Sequence, residues 1–239
     1  MVELVGAGPG RRVLEVGAGL GSLTVPLAAS GAEVVALELD PRLLPALEEV
    51  LEPFPRATVM AADAVTADWP AILGEGGPWV AAANLPYNVA VPVVMGLLEK
   101  APSVDGMLVM VQREVGERLA AGPGDELFGA VSLRVAYRAE ARVVRKVSRT
   151  VFWPQPNVDS VLVSIVRRPP PVSVDEGSLW RVVDTAFGQR RKTMRGALMR
   201  LGLDSEEALR ALSLCGIDPR SRPERLGLPE FACLAGASG

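Results

Sequence analysis

The chain of 239 residues contains no histidine. This absence excludes catalytic triads built on imidazole, histidine metal sites and histidine general bases, so we expect chemistry that needs no strong base. Cysteine is also scarce, with only Cys215 and Cys233. We predict two buried thiols rather than a disulfide framework. Because two thiols without histidine make a poor zinc site, no metal site is expected.

Long apolar runs are missing as well. No run approaches the roughly 18 residues of a membrane-spanning helix, so no contact with a membrane is predicted. The first residues lack the basic segment and long apolar core of a secretory signal, so we expect a cytoplasmic protein. Hydrophobic residues still make up 49% of the chain, enough for one large α/β domain and a small appendage.

Charge is distributed unevenly along the chain. Residues 1–133 hold 7 basic and 17 acidic residues, a net charge of −10. Residues 134–195 hold 13 basic and 5 acidic residues, a net charge of +8. A central basic block suits contact with a phosphate backbone, although a solvated cationic face is the simpler interpretation of the block alone.

A glycine-rich turn follows the first predicted strand. The strand covers residues 13–16 and runs into Gly17, Gly19 and Gly21, before an amphipathic stretch over residues 22–30. Their spacing is G-x-G-x-G, which differs from the G-x-G-x-x-G of dinucleotide folds. A glycine turn between strand and helix lets a ligand approach the backbone closely.

Acidic residues follow the next two predicted strands. The strand over residues 33–38 ends at Glu38, which is near the ~20-residue spacing of a ribose-binding carboxylate from the glycine turn. The strand over residues 57–61 is followed by Asp63. In a doubly wound sheet the carboxyl ends of the strands form the ligand edge, so we predict a ligand site there. A solvated loop acid or a helix cap is the alternative for each carboxylate.

The tetrad Asn84-Leu85-Pro86-Tyr87 follows an apolar strand end at residues 80–83. An amide oxygen and a backbone carbonyl can accept hydrogen bonds from an exocyclic amine, and an aromatic ring can stack on a base. This combination suits methylation of an amino nitrogen on a base. Taken alone, the tetrad is more simply interpreted as an ordinary turn after a strand, and the rest of the chain is needed to favour the base-binding interpretation.

The remaining pattern alternates helices with strands, which indicates an α/β fold with a mostly parallel sheet. Helices are predicted over 89–98 and 114–121, and strands over 106–111, 131–139 and 158–166. The last two strands are expected to pair in antiparallel orientation. Pro169-Pro170-Pro171 is a stiff spacer and the predicted domain boundary. Short helices are predicted beyond it, over 179–187, 193–201, 205–213 and 229–234.

These motifs together resemble those of the small-subunit ribosomal RNA adenine N6,N6-dimethyltransferases. The resemblance covers nearly the whole chain and implies a Rossmann-like class I methyltransferase sheet over residues 1–168 and a small helical RNA-binding domain over 169–239. It rests on Glu15-x-Gly17-x-Gly19-x-Gly21, Glu38, Asp63-Ala64, the tetrad, Phe152-x-Pro154-x-Pro156-x-Val158-x-Ser160 and Phe187-x-x-Arg190-Arg191-Lys192-Thr193.

The resemblance implies S-adenosyl-L-methionine as the cofactor. Its expected binding residues are Glu15, Gly17, Gly19, Gly21, Glu38, Asp63, Ala64 and Asn84, with Glu15 ordering the loop or reaching the methionine ammonium through water. The expected catalytic residues are Asn84, Leu85, Pro86, Tyr87 and Phe152, of which Tyr87 and Phe152 would sandwich the target base.

The implied substrate is a pair of adjacent adenines in the hairpin near the 3′ end of small-subunit rRNA. The partner is then the immature small ribosomal subunit, and we expect a monomeric enzyme. The residues expected to contact RNA phosphates are Arg145, Lys146, Arg149, Arg190, Arg191, Lys192 and Arg195.

The chain departs from the family in one place, since the residues before Val13 do not contain the usual G-Q-N-F-L arm. That arm helps to close both pockets, so reduced activity is one expectation. The alternatives are a ribosome-assembly factor with little catalysis and an erythromycin-resistance type methyltransferase acting on large-subunit rRNA. A DNA adenine methyltransferase is disfavoured because its tetrad usually reads Asp-Pro-Pro-Tyr or Asn-Pro-Pro-Tyr.

Overall fold

The computed structural model describes residues 1–74, 77–86 and 88–237. Seven strands form one sheet: β1 (Arg12–Val16), β2 (Glu33–Glu38), β3 (Ala57–Ala61), β4 (Trp79–Asn84), β5 (Val104–Gln112), β6 (Ala139–Val147) and β7 (Ser160–Arg167). The helices are α1 (Val2–Val5), α2 (Thr24–Ala29), α3 (Leu44–Leu51), α4 (Trp69–Leu73), α5 (Ala90–Lys100), α6 (Arg113–Ala120), α7 (Ala130–Arg138), α8 (Glu176–Phe187), α9 (Met194–Arg200), α10 (Ser205–Leu214) and α11 (Leu228–Ala237).

The sheet has the strand order β3-β2-β1-β4-β5-β7-β6. The pairs among β3, β2, β1, β4 and β5 are parallel, and β7 runs antiparallel to β5. The chain moves outward from β1 through β2 to β3 and then returns to start β4 on the other side of β1. This reversal opens a crevice at the carboxyl ends of β1 and β4, which is where doubly wound sheets bind ligands.

The central strands are short and strongly apolar because both of their faces are covered. In β4, Ala81, Ala82 and Ala83 are almost fully buried, and exposure begins again at Asn84. Val16 of β1 lies opposite Ala83 in the parallel register. The polar end of β4 therefore emerges beside the glycine turn that follows β1, and the predicted α/β sheet is confirmed.

The strand predicted over residues 131–139 is wrong, because this segment forms α7. Alternation of apolar and polar residues suggested a strand, yet Leu133 and Tyr137, one helical turn apart, are buried in the core of the second unit. The amide of Gly129 donates to Ser132 Oγ at 3.1 Å, which helps to begin the helix. The last strand of the sheet is instead β6, an exposed edge strand that the sequence pattern did not predict.

The chain divides into two compact units. The first contains residues 1–116 and 140–167, and the second contains residues 117–139 and everything from Arg168 onward. The boundary at 167/168 lies beside the predicted spacer. Residues 117–139 differ from the predicted division, which placed them with the sheet. They belong to the second unit because Phe128, Leu133 and Tyr137 are buried in its core.

The second unit is helical. Its core contains Leu179, Met194, Leu212 and Phe231, contributed by α8 to α11. The start of α10 has a capping box, in which Asp204 Oδ1 accepts the amides of Glu206 and Glu207 at 2.8 and 2.9 Å while Glu207 accepts the amide of Asp204.

The expectation of two free thiols is wrong, since Cys215 and Cys233 form a disulfide. Cys215 directly follows α10 and Cys233 lies in α11, and the packing of these two helices brings the sulfur atoms together. The separation of 18 residues between the two cysteines in the sequence does not indicate that the helices pack in this way. Among the helices that the structure describes, none is both long and apolar enough to cross a membrane.

Candidate active site

The glycine turn after β1 forms one wall of the crevice. The amides of Gly17 and Ala18 donate to the carbonyl of Leu37 at 2.9 and 3.0 Å, which fixes the turn against β2. Gly19 has φ +58°, and a Cβ built on it would meet no atom within 4 Å, so the backbone there faces open space. Gly21 is different, because a Cβ on it would come within 3.2 Å of Leu47 on α3; its small size serves packing.

Glu38, at the end of β2, is only 9% exposed and is held by the backbone on both sides. Its Oε2 accepts the amide of Gly19 at 2.7 Å, and its Oε1 accepts the amide of Asp40 at 2.9 Å. A carboxylate offers about four acceptor positions, so each oxygen keeps capacity for a ligand donor. The hydrogen bonds orient the carboxylate toward the crevice before any ligand arrives.

A cavity of about 300 Å³ lies between these groups. Asp63 lines it after β3, and its Oδ1 is fixed by accepting the amide of Val65 at 2.9 Å. The predicted residues that line this cavity are Gly17, Glu38, Asp63, Ala64, Asn84, Leu85 and Pro86. Glu15, Gly19 and Gly21 are not among its lining residues. Leu39 and Asp40 line it too and were not predicted, although they directly follow Glu38.

A second cavity, of about 580 Å³, opens on the other side of the tetrad. Asn84, Leu85 and Pro86 line both cavities. Leu85 is buried and its amide donates to the carbonyl of Met110 at 3.0 Å, so the chain between the cavities is anchored to β5. Tyr87, the fourth residue of the tetrad, lies outside the described residues.

The predicted aromatic Phe152 lines the second cavity and is half-buried. Phe152 is not among the fully buried hydrophobic residues of the described chain, so its ring is partly accessible from this cavity. Other residues on this wall were not predicted: Met110, Val111, Trp153, Pro154, Pro156 and Ser160. The three from 153 to 156 belong to the same motif as Phe152, so the motif itself was the available signal.

Glu15, in β1, lies behind the crevice at 2% exposure. Burial raises the pKa of its carboxyl from 4.5 to about 7; the nearby Thr24 hydroxyl opposes the rise and the Glu38 carboxylate adds to it. Glu15 Oε2 and Thr24 Oγ1 have no hydrogen-bond partner among the described residues. The carboxyl group and the hydroxyl group are therefore near each other without the geometry of a good hydrogen bond. Glu15 is therefore a buried acid that is half-protonated near neutral pH.

This buried acid predicts a specific pH dependence of stability. Since the folded pKa exceeds the unfolded value, the protein should lose stability as pH rises from 4.5 to about 7. The loss is at most about 3–4 kcal/mol, from about 1.4 kcal/mol per pKa unit. The Glu15→Gln variant should not show this loss of stability as the pH rises. Urea unfolding of the parent and the variant at about pH 5 and about pH 8 checks this prediction. The free energy of unfolding of the variant, relative to that of the parent, should be higher at the higher pH. The same change with pH in both proteins would contradict the assignment.

The basic residues predicted to contact RNA fall in two places, each within its own unit. Arg145, Lys146 and Arg149 are exposed on β6 and the turn after it. The others follow α8: Arg190, Arg191 and Lys192 are exposed in the turn before α9, and Arg195 is half-buried in α9.

Three of these residues are held by the protein itself, among them Arg149, whose guanidinium donates to the carbonyl of Asn157 at 3.2 Å. Arg195 donates to Ser205 Oγ at 2.5 Å. Arg190 donates to the carbonyl of Glu126 at 2.5 Å and lies 4.0 Å from a carboxylate oxygen of Glu224. No contact of this kind is described for Arg191 and Lys192, which makes them the better probes of RNA contact. No group of acidic, cysteine or histidine residues that could hold a metal occurs among the described residues.

Known proteins resemble this chain over nearly all of its length. The sequence model of the ribosomal RNA adenine dimethylase family matches residues 2–226. The ribosomal RNA small subunit methyltransferase A of Thermobifida fusca is 48% identical over 98% of this chain and 83% of its own length. The protein of the same name from Geobacillus kaustophilus is 41% identical over 99% of this chain and 84% of its own length.

Solved structures show the same fold. A dimethyladenosine transferase from Plasmodium falciparum superposes with a TM-score of 0.82 at 22% identity, covering 98% of this chain and 91% of that one. The 23S rRNA methyltransferase ErmE superposes with a TM-score of 0.73 at 25% identity, covering 99% and 94%. These likenesses confirm the predicted class I methyltransferase sheet with a helical C-terminal part. The chain therefore belongs to the ribosomal RNA adenine dimethylase family.

Proposed function

We propose that this protein transfers methyl groups from S-adenosyl-L-methionine to N6 of two adjacent adenines in the 3′-terminal hairpin of small-subunit rRNA. One observation carries the proposal: Asn84, Leu85 and Pro86 form the wall shared by two cavities at the switch point of the sheet. A methyl donor in the smaller cavity and a base in the larger one would meet at this wall.

The residues around the smaller cavity suit S-adenosyl-L-methionine. Glu38 is buried, oriented and able to accept hydrogen bonds from ribose hydroxyls. Asp63, whose Oδ1 accepts the amide of Val65, would accept from the adenine amine. The open space at Gly19 leaves room for the methionine part beside the backbone. The sulfonium supplies an electrophilic methyl group with a neutral leaving group. These roles follow the chemistry of the donor and acceptor groups.

The larger cavity suits an adenine taken out of its stack. Asn84 Oδ1 and the Leu85 carbonyl would accept hydrogen bonds from the target amine and aim its nitrogen at the methyl group. Bound S-adenosyl-L-methionine would supply the methyl group: its S–C bond would break, leaving the electron pair on sulfur, as the new N–C bond forms, and the methylated amine would then give a proton to water. Positioning of this kind accounts for roughly 7–11 kcal/mol of a barrier. It needs no imidazole base, in keeping with a chain that has none.

The substrate follows from the relatives. Proteins at 41–48% identity are named small-subunit enzymes, whereas the 23S rRNA enzyme ErmE is 25% identical. This favours the small subunit over the large one, and favours an enzyme over a factor that only binds. We propose a monomer that acts on the immature small subunit in the cytoplasm, although disulfides such as Cys215–Cys233 are rare in that compartment.

Labelled methyl transfer tests the choice of substrate. Small and large ribosomal subunits from cells that lack the respective adenine methylations are offered separately with labelled S-adenosyl-L-methionine. Label should enter RNA of the small subunit. Label in the large subunit would favour the erythromycin-resistance type of enzyme, and binding to small subunits without any label would favour an assembly factor.

The basic turn before α9 should contribute to RNA binding. Replacing Arg190, Arg191 and Lys192 together by alanine should weaken binding to small subunits and reduce its salt dependence by up to about three phosphate contacts. Because Arg190 also supports Glu126, the double variant Arg191→Ala/Lys192→Ala separates RNA contact from folding. Affinity measured across a salt series checks the prediction.

The control for this series is Arg210→Ala, an exposed arginine of the same unit that lies 3.6 Å from Glu206. It should leave the salt slope unchanged. Cofactor affinity should also stay unchanged in all variants, since the residues proposed to hold the cofactor belong to the sheet unit. Equal slopes for the parent and the double variant would make the turn a solvated surface and move RNA recognition elsewhere.

A further inference from the structure

Trp153 is the most exposed large apolar side chain of the described residues, at 96%. Trp69 and Trp79 of the same unit are each 1% exposed. A tryptophan ring can bury 150–250 Å², so leaving it in water forgoes a large stabilisation. Single exposed apolar residues are common on protein surfaces. Trp153 differs from those because it lines the cavity next to Asn84.

The position of Trp153 in the chain relates it to the proposed adenine position. It directly follows Phe152, and both residues line the larger cavity. Pro154 and Pro156 also line this wall, and proline limits the backbone freedom of its neighbours. Trp153 is therefore held one residue along the chain from the side chain proposed to contact the target adenine.

The segment of the chain that precedes Trp153 is basic, which suits contact with a nucleic acid. Arg145, Lys146 and Arg149 are exposed on the segment that leads into the Phe152 motif. Arg149 is fixed there, since its amide donates to Asp159 Oδ1 at 3.0 Å and its guanidinium donates to the Asn157 carbonyl at 3.2 Å. Exposed aromatic rings among cationic side chains are the usual arrangement for holding single-stranded bases.

We propose that Trp153 stacks on the base next to the adenine being methylated, and that it favours a purine there. The inference rests on the proposed function and adds a residue that determines specificity. Purines offer a larger ring face than pyrimidines, so adenine should stack better than uracil. With two adjacent target adenines, one would rest on Trp153 while the other occupies the cavity. The ring would therefore help the enzyme to select an adenine pair.

A four-way comparison tests this inference. Parent and Trp153→Ala are assayed on small subunits with two adjacent adenines and on subunits in which one of the two is replaced by uracil. For the parent, uracil should raise KM for methylation of the remaining adenine about tenfold, which corresponds to about 1.4 kcal/mol. For Trp153→Ala, adenine and uracil should give equal KM values, both near the high value. Trp153→Phe should restore most of the preference for adenine.

Two controls separate stacking from folding. Val166→Ala removes another exposed apolar side chain, at the far end of β7, and should keep the parent's preference. Affinity for S-adenosyl-L-methionine should be the same in every variant. If the parent methylates subunits with equal KM for both neighbours, or if Trp153→Ala keeps the preference, the inference is overturned and the proposed function stands. If the parent methylates no adenine, the proposed function falls and the inference falls with it.

Discussion

Asn84→Ala should abolish methyl transfer while leaving affinity for S-adenosyl-L-methionine nearly intact. Asn84 lies on the wall between the two cavities, where its side-chain oxygen would accept a hydrogen bond from the target amine. Without it, only the Leu85 carbonyl would hold the target amine, and one acceptor alone does not fix the direction of the nitrogen lone pair. We expect less than about a tenth of the parent's turnover, a loss of more than about 1.4 kcal/mol in transition-state stabilisation.

The matched control is Asn88→Ala, which removes the same type of side chain from the larger cavity at a position beyond the shared wall. Its turnover should stay within about tenfold of the parent's. Single-turnover methylation of small subunits and calorimetric titration of the cofactor are the two measurements. An Asn84→Ala enzyme that keeps more than about a tenth of the parent's turnover would remove Asn84 from the catalytic role.

The second large effect concerns Glu38. Glu38→Ala should weaken the binding of S-adenosyl-L-methionine by more than about tenfold, since charged hydrogen bonds contribute roughly 1.5–3 kcal/mol. Two ribose hydroxyls would lose their acceptor. The glycine turn would also lose the carboxylate that accepts the amide of Gly19 at 2.7 Å. Calorimetric titration measures the affinity, and thermal unfolding shows whether the turn has been disturbed.

Two variants make this result specific. Glu38→Gln keeps one acceptor oxygen and should bind with intermediate affinity. Glu33→Ala removes a carboxylate from the opposite end of the same strand, where it forms an exposed pair with Arg12 at 3.4 Å, and should leave the affinity unchanged. Unchanged affinity in Glu38→Ala would place the ribose elsewhere.

The sheet could be predicted from the sequence because its central strands follow a simple rule. Strands buried on both faces must be apolar along their whole length, and the parallel strands of this fold then end in glycine or polar residues at one edge. The predicted bounds of β2 and β3 are those of the structure. Glu38 and Asn84 end two of these strands, and Asp63 closely follows a third. The parallel arrangement of the three strands alone predicts that these residues lie close together.

The errors lie where packing between distant segments decides the outcome. Alternating side chains over residues 131–137 suit a strand, and only burial against the other helices of the second unit makes this segment α7. The Cys215–Cys233 disulfide likewise depends on how α10 and α11 pack. The local sequence predicts neither the packing of α7 against the other helices nor the packing of α10 against α11. The raised pKa of Glu15 was also unpredictable, because it arises from the depth of burial of β1.

In the candidate site, too, some features could be predicted from the sequence and others depend on the folded structure. The tetrad predicted a base-binding wall, and the structure adds that this wall separates two cavities. Trp153 stands in the middle of a motif that drew attention to Phe152, but its exposure follows only from the folded chain. The sequence indicates which chemistry is present, whereas the folded structure decides which side chains are free to meet a substrate.

Mass mapping of the modified RNA is the decisive measurement for dimethylation of two adjacent adenines in small-subunit rRNA. Small subunits that lack the modification are incubated with the protein and S-adenosyl-L-methionine, and their RNA is cut into fragments and analysed by mass spectrometry. We predict N6,N6-dimethyladenine at two neighbouring positions of the 3′-terminal hairpin and at no other site. Methylation of a single adenine elsewhere, or of no nucleotide while the subunit is bound, would contradict the account.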